Sequence, residues 1–240
     1  MPNRTIGIYP SKRYNFRTNA TYRTPWNFLP DDRAKVIGEQ LTYLDFHEWL
    51  MDNLRHSDST NPEADQWSRL VFNIAEGFFK TDVLLYASIC EAALFSILHD
   101  VFNDDGDSAH DCVKECFQRV EDRFHKLNSC EISLTTPARR VKGELCLRFT
   151  QETAISDSEV KFASLIKAGE AIRIYDAGLR RRLDTLRDDR NAIHLAKQIQ
   201  RNSQLRPFRE SDRARAKQTT EELRVVLKAF VADHTCRPWP

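Results

Sequence analysis

Residues 81 to 101 read TDVLLYASICEAALFSILHDV and are the most apolar stretch of the chain. Between Asp82 and Asp100 this stretch contains a single Asp, Glu, Lys or Arg, namely Glu91. A helix that is hydrophobic around most of its circumference is buried among other elements. The stretch therefore predicts a central core helix against which the rest of the chain packs.

Helical spacing of apolar residues continues on both sides of this core helix. The Pro30-Asp31-Asp32 sequence is a helix start signal, and a helical period runs from Asp31 to about Arg55. The same criteria predict further helices over the following ranges: 62 to 79, 108 to 127 with Ser108 as the cap, 158 to 168, 172 to 199 and 211 to 233.

Residues 131 to 155 have a different pattern. β-branched and apolar residues lie on both sides of Pro137, which predicts two short strands joined as a hairpin. The expected fold is therefore mainly α, a helical bundle with a small β-hairpin insertion at about 131 to 155. Residues 1 to 30 lack a sustained period and are expected to form an N-terminal arm or cap, which leaves 31 to 240 as the helical domain.

The N-terminal arm has two interpretations. Its aromatic residues can pack on the helical body, which is the simpler one. Alternatively, Tyr14, Phe16 and Tyr22 can stack on single-stranded RNA, because arginines are interleaved with them. Both interpretations are kept.

The composition is that of a globular protein whose charges nearly cancel. The chain has 240 residues, 41% of them hydrophobic, which is enough for a buried core. Its 36 basic and 35 acidic residues leave a formal net charge of +1, so no global field attracts nucleic acid. Arginines nevertheless concentrate between residues 180 and 217, which predicts a local basic patch.

Neither secretion nor membrane insertion is expected. The N-terminal residues MPNRTIGIYPSKRYNF contain no apolar core of signal-peptide length. We also expect no apolar run of the roughly 20 residues that span a bilayer. A cytoplasmic protein with reduced thiols and no membrane partner is therefore the expectation.

The cysteines and most histidines give no convincing site. His110, Cys112, Cys116 and His125 can be drawn as a metal set, since the two cysteines share a helix face, but no second pair follows at zinc-finger spacing. The cysteines are better interpreted as small packing residues, and we expect no metal and no other cofactor. His47 has no accompanying nucleophile and is given no catalytic role.

A second stretch, residues 183 to 195, reads LDTLRDDRNAIHL and carries the candidate chemistry. Helical geometry places four polar residues at i, i+3, i+4 and i+7 on one face: Arg187, Arg190, Asn191 and His194. Guanidinium groups match phosphate oxygens, histidine exchanges a proton near neutral pH, and an asparagine can orient a hydroxyl. These four are the predicted catalytic residues of a surface that can process an RNA phosphodiester without a metal.

Glu91 is the predicted supporting residue. A carboxylate in an apolar helix is costly to bury unless it is paired. One expectation is therefore an ion pair with an arginine of the motif helix. The alternative is that Glu91 faces solvent from a half-exposed helix.

The stretch from Leu186 to His194 resembles the signature of the HEPN superfamily, named for higher eukaryotes and prokaryotes nucleotide-binding. Arg187 is followed by a polar residue and fits the family spacing of four to six intervening residues, because six residues separate it from His194. The Arg-Asn dipeptide often found in the family is here Arg190-Asn191, but only three residues separate Arg190 from His194. Either arginine is therefore a candidate for the catalytic one. The resemblance covers mainly residues 160 to 197.

The resemblance implies a helical bundle that acts as a metal-independent endoribonuclease. Two protomers would bring their motif helices together in a homodimer, with RNA as the substrate and its own 2′-hydroxyl as the nucleophile. Because many stand-alone members of the family are toxins or act in defence against phage, an antitoxin or a companion defence protein is a further expected partner. The alternative is a catalytically inactive module that binds RNA, a nucleotide or another protein, in which Arg187 and His194 form salt bridges or hold the ligand.

Overall fold

The computed structural model describes residues 19–54, 64–105, 109–136, 139–193 and 207–235. Within these ranges the chain forms seven α-helices and one two-stranded antiparallel sheet. The predicted class, mainly α with a small β-hairpin, is confirmed. The elements in chain order are α1 (Asn19–Arg23), α2 (Asp31–Leu54), α3 (Ala64–Asp105), α4 (Asp111–Phe117), β1 (Gln118–Thr136), β2 (Arg139–Ala154), α5 (Phe162–Ala171), α6 (Ala177–Ile193) and α7 (Glu210–Thr235).

The predicted core helix lies in the second half of α3. Helices α2, α4, α5, α6 and α7 all contact α3. Side chains with no more than 1% exposure recur along this segment, at Val83, Ala87, Ile89, Cys90, Ala93, Leu94 and Leu98. The apolar stretch around residue 90 is thus the axis of the bundle, as its composition predicts.

Helix α3 is longer than predicted. The sequence pattern suggested two helices, over 62 to 79 and 81 to 101, but Ala64–Asp105 forms one helix of 42 residues. No proline interrupts this range. At the expected boundary the Thr81 hydroxyl donates to the Gly77 carbonyl at 3.0 Å, a hydrogen bond to the preceding turn of the same helix.

Part of α3 meets the length and composition of a membrane span. The 32-residue segment Asn73–Asp104 contains an 18-residue window with a mean hydropathy of 1.6, so the expectation that no apolar run approaches the length of a span is wrong. In its most apolar window 61% is buried inside the protein. The core helix of a soluble bundle has the same properties, and this segment is therefore weak support for a membrane location.

The hairpin begins earlier than predicted, and the preceding helix is shorter. Helix α4 ends at Phe117 rather than near residue 127, and β1 pairs with β2 from Gln118↔Ala154 to Thr136↔Arg139. Local spacing in this segment fits a helix, but cross-strand pairing with a distant strand decides the outcome. The cap of α4 is His110, whose Nδ1 accepts a hydrogen bond from the Cys112 amide at 3.2 Å; the predicted cap, Ser108, lies outside the described residues.

The predicted helix from 172 to 199 begins only at Ala177. Helix α5 ends at Ala171, and Arg173 takes a φ of 61°, in the left-handed region that ends helices. The Ile174 amide donates to the Gly169 carbonyl at 2.9 Å across this end. Gly169 is required here because a Cβ would lie 2.6 Å from the Tyr175 hydroxyl. Beyond Ile193, the predicted end at residue 199 lies outside the described residues.

The described part of the N-terminal arm packs on the body. Trp26 is 1% exposed and Leu29 5% exposed, and both belong to the main core. The packing interpretation therefore holds for this part. Tyr14 and Phe16 lie outside the described residues, so the RNA-stacking interpretation stays a prediction for them.

Candidate functional site

Helix α6 presents a buried stripe and a polar side, as its sequence predicts. Leu179, Leu183 and Leu186 are at most 3% exposed, and Ile193 packs against the core at the end of the helix. The Asp176 carboxylate accepts the Leu179 amide at 2.8 Å and so caps the helix N-terminus. This hydrogen bond lowers the pKa of Asp176.

Arg190 pairs with Glu91 of α3. Its Nη1 donates to Glu91 Oε2 at 2.6 Å, and the two side chains are 29% and 26% exposed. Of the two alternatives for Glu91, the ion pair with an arginine of the motif helix is therefore confirmed. It also ties the polar side of α6 to the core helix, so that a half-buried carboxylate is compensated.

Arg187 is engaged on its own helix. Its Nη1 donates to Asp184 Oδ1 at 2.8 Å, while its Nη2 and Nε donate to Asp188 Oδ1 at 2.9 and 3.2 Å. All three guanidinium nitrogens therefore have a carboxylate partner. Two of its five N–H donors remain, but the two carboxylates already offset the guanidinium charge and so weaken its attraction for a phosphate; Asp188 is the more exposed of the two at 68%.

Three of the four predicted catalytic residues lie on the described part of α6. Asn191 is half-buried, and its side chain has no hydrogen-bond partner among the residues the structure describes. His194, which follows directly after α6, lies outside those residues. The structure therefore places Arg187, Arg190 and Asn191 along one helix and adds Glu91 from α3.

A pocket of about 350 Å³ opens beside the Arg190–Glu91 pair. We call it the α3–α6 pocket; its lining residues are Arg33, Ser88, Glu91, Ala92, Phe95, Asp157, Ser158, Val160, Leu165 and Arg190. Sequence analysis did not find Arg33, Ser88, Asp157 or Ser158. These residues come from separate elements, and no local spacing connects them to the motif.

The part of the arginine-rich segment that the structure describes is largely neutralised. Five of its described arginines besides Arg187 have carboxylate partners: Arg180 with Glu170, Arg182 with Glu222, Arg190 with Glu91, Arg213 with Asp82 and Glu48, and Arg215 with Asp189 and Asp212. Arg181 and Arg209 have no carboxylate partner within the described ranges. The density of arginines in the sequence therefore overstates the positive charge that this surface presents.

A second charged group, which we call the buried cluster, consists of His47, Asp82 and Arg213. Asp82 is 0% exposed; His47 Nδ1 lies 2.6 Å from its Oδ1, and Arg213 Nε forms an ion pair with its Oδ2 at 2.8 Å. The cluster joins α2, α3 and α7. Sequence analysis gave His47 no role, although Asp82 lies in the same apolar stretch as Glu91 and raises the same question of a partner.

Cys90, Cys112 and Cys116 are packing residues. Burial raises the pKa of the Cys90 and Cys116 thiols to about 12, which keeps both in the unreactive thiol form near neutral pH. His110 and Cys112 take part in the N-cap of α4, and Cys116 Sγ contacts the Cys112 carbonyl at 3.3 Å. Within the described ranges no group of three or more His, Cys, Asp or Glu side chains is placed to hold a metal ion.

Comparisons with protein-family models, with curated proteins and with solved structures found no match for this chain.

Proposed function

We propose that the chain is a metal-independent endoribonuclease of HEPN type that acts in the cytoplasm as a homodimer. The observation that carries the proposal is the polar side of α6, where Arg187, Arg190 and Asn191 lie a few residues before His194 in the sequence and Arg190 lines the α3–α6 pocket. Two guanidinium groups, an amide and an imidazole within eight residues of sequence are groups that can cleave a phosphodiester by general acid–base catalysis.

In the proposed reaction the RNA supplies the nucleophile. The 2′-oxygen attacks the adjacent phosphorus and loses its proton, the bond from phosphorus to the 5′-oxygen breaks, and the 5′-oxygen takes up a proton. The products are a 2′,3′-cyclic phosphate and a 5′-hydroxyl. His194 transfers protons, and an arginine stabilises the charge that develops on the phosphoryl oxygens.

The contacts favour Arg190 as the arginine that binds phosphate. It gives Nη1 to Glu91, and its Nε and Nη2 have no partner among the residues the structure describes. Arg187 uses all three nitrogens on carboxylates of its own helix. Arg190 therefore has more free donors and one carboxylate neighbour, whereas Arg187 has fewer free donors and two carboxylate neighbours.

The dimer in this proposal brings two α6 helices together. A single arginine–histidine set gives a small site, and two-fold symmetry places the same set on both sides of one RNA strand. An antitoxin or companion defence protein is an extension of the proposal that depends on the family resemblance alone. Light scattering tests the assembly, and a strict monomer with full nuclease activity would eliminate the composite site.

The central experiment compares wild-type protein with His194→Ala on labelled RNA in EDTA. We expect cleavage by the wild type and a loss in turnover of about 10²-fold or more in the variant, with RNA affinity nearly unchanged. Arg181→Ala is the control, because Arg181 lies on the opposite side of α6 from Arg190 and has no carboxylate partner among the described residues. A fully active, normally folded His194→Ala protein, or activity that requires magnesium, would contradict the mechanism.

The second candidate function is a catalytically inactive module that binds RNA, a nucleotide or another protein. The observation that favours it is the pairing of Arg187 with both Asp184 and Asp188, which is typical of a structural arginine. On this hypothesis RNA binds with the same affinity to the wild type and to His194→Ala, and neither protein produces cyclic phosphate ends.

A further inference from the structure

The α3–α6 pocket has polar groups that the proposed catalytic step does not use. Arg33 contributes a guanidinium whose Cζ lies 5.3 Å from the centroid of the Phe95 ring. No carboxylate pairs with Arg33 among the residues that the structure describes. Asp157 contributes an exposed carboxylate, also without a side-chain partner within the described ranges. The pocket thus offers one cation and one anion that are both available to a ligand.

The segment that carries Asp157 is held in place. Asp157–Glu159 forms a 3-10 turn, and the Glu159 carboxylate accepts hydrogen bonds from the Ser156 amide at 3.3 Å and the Ser156 hydroxyl at 2.9 Å. These hydrogen bonds lower the pKa of Glu159. A reciprocal cap of this kind fixes the start of a helical turn, so Asp157 is presented to the pocket from a defined backbone.

The size and lining of the pocket fit one nucleoside. Its volume of about 350 Å³ is at the small end of the roughly 300–1,000 Å³ that is typical of ligand sites. Ser88 and Ser158 add hydroxyls, and Phe95 adds an aromatic wall. The Phe95 ring supports the Arg33 guanidinium, which lies over it, and so helps to hold this cation in the pocket.

The combination of a free arginine and a free carboxylate distinguishes among the bases. An ionised carboxylate only accepts hydrogen bonds, and guanine presents its N1–H and its N2 amino group side by side as two donors. Arginine pairs with the O6 and N7 acceptors of the same base. Uracil, in contrast, presents one N–H between two carbonyl groups, and a carboxylate repels the oxygens of these carbonyl groups. Guanine is therefore the base whose donors and acceptors match both side chains.

We propose that the α3–α6 pocket binds a guanine base. Asp157 accepts hydrogen bonds from N1–H and the N2 amino group, and Arg33, which lies over the Phe95 ring, donates to O6 and N7. The inference rests on the proposed ribonuclease function, since Arg190 lines the same pocket and would receive the phosphate of the bound nucleotide. It adds a base preference to that function: cleavage next to guanosine.

The test measures binding of free nucleotides to the full chain by calorimetry. GMP is compared with IMP, which lacks only the N2 amino group, and with UMP. A good two-bond contact to a base edge discriminates by roughly 1–3 kcal/mol, so we expect GMP to bind about tenfold or more tightly than UMP, with IMP in between. Equal affinities for the three nucleotides would overturn the inference.

Variants assign the preference to the two side chains. Asp157→Asn replaces one acceptor by a donor and should abolish the difference between GMP and IMP, whereas Arg33→Ala should weaken the binding of both. Asp111→Asn, which removes an exposed carboxylate from the first turn of α4 outside the pocket, is the matched control and should bind like the wild type. A preference for GMP that survives in Asp157→Asn would also overturn the assignment.

A final pair of measurements separates RNA from a free nucleotide as the source of the base. Uridine oligomers with and without a single guanosine are tested for binding and for cleavage. Binding that depends on the guanosine without cleavage supports the guanine site and rejects the ribonuclease proposal. Cleavage of both oligomers, without a preference for GMP among the free nucleotides, supports the ribonuclease proposal and rejects the guanine site.

Discussion

Two charged groups connect neighbouring helices to α3, and they differ in their exposure to solvent. Asp82 of the buried cluster is 0% exposed and contacts α2 through His47 and α7 through Arg213. Glu91, nine residues later, is 26% exposed and contacts α6 through Arg190 at the rim of a pocket. The same helix therefore uses one carboxylate in the interior and one where a ligand can reach it.

Exposure to solvent determines how much an ion pair contributes to the stability of the fold. Removing one partner of a buried pair leaves an uncompensated charge and costs about 3–5 kcal/mol, whereas exposed pairs contribute about 0–1 kcal/mol. A pair at the surface can also exchange its partner for a ligand without that cost. The buried cluster is thus expected to control folding, and the Arg190–Glu91 pair to control what binds.

The largest expected effect is on stability, in Asp82→Asn. The substitution leaves Arg213 without its buried counter-charge, so we expect the free energy of unfolding to fall by about 3–5 kcal/mol, measured by urea denaturation. Glu91→Gln, the same kind of change on the same helix, is the control. A loss in Asp82→Asn no greater than that in Glu91→Gln would break the contrast between the two groups.

The fold was predictable where it depends on local spacing. The bounds of α2 and the buried second half of α3 follow from apolar residues at helical intervals. The start of β1 at Gln118 does not, because it depends on pairing with Ala154, which is remote in sequence. The break between α5 and α6 was predicted too early, at residues 169 to 171, because Ile174 and Tyr175 continue the apolar pattern of the following helix, and both are buried.

The site was predictable only in part, for a related reason. The cost of burying a lone carboxylate predicts a partner for Glu91, and the same argument applied to Asp82 would have predicted one there too. The identity of the partner depends on the tertiary structure and not on local sequence. Arg33 and Asp157 reach the α3–α6 pocket from elements far apart in the chain, so no motif in the sequence could have joined them.

The second prediction concerns Arg190→Ala, in which activity and stability should fall together. Loss of the phosphate contact should lower kcat/KM by about 10²-fold, as for a charge contact made in the transition state. Loss of the Glu91 partner should cost about 1 kcal/mol in the free energy of unfolding, because the two side chains are 29% and 26% exposed and the pair lies between the exposed and the fully buried case. Cleavage rates and urea curves measured on the same protein preparation check both effects.

Arg187→Ala sharpens this prediction. Because Arg187 is held by Asp184 and Asp188, its removal should reduce activity less than the removal of Arg190 if Arg190 binds the phosphate. Arg181→Ala, on the opposite side of α6, should change neither activity nor stability. A larger loss of activity in Arg187→Ala than in Arg190→Ala would transfer the phosphate contact to Arg187 and reverse our assignment.

The third prediction concerns Glu91→Gln, in which binding and stability should change in opposite directions. Stability should fall by up to about 1 kcal/mol. RNA affinity should rise several-fold at low salt, because the variant removes a negative charge beside the phosphate site and frees Nη1 of Arg190. Affinity measured over a range of salt concentrations checks the effect. Affinity that falls in Glu91→Gln would mean that the carboxylate contacts the RNA through a donor rather than repelling its phosphate.

The smallest expected effect is that of the cap of α6 at low pH. The Leu179 amide holds the pKa of Asp176 below its ordinary value, so the stabilisation by this cap is fully present above the unfolded pKa and is lost as the pH falls through the lower, folded pKa. Asp176→Ala should therefore be less stable than the wild type at pH 7 by a small amount, and the difference should shrink below about pH 4. Urea midpoints of both proteins at pH 7 and pH 3 measure it, with Asp52→Ala, an exposed carboxylate away from any helix N-terminus, as the control. The Arg190–Glu91 pair lies near the other end of α6 and should not affect this comparison. A stability difference between the two proteins that grows toward low pH would show that Asp176 does not act as the cap.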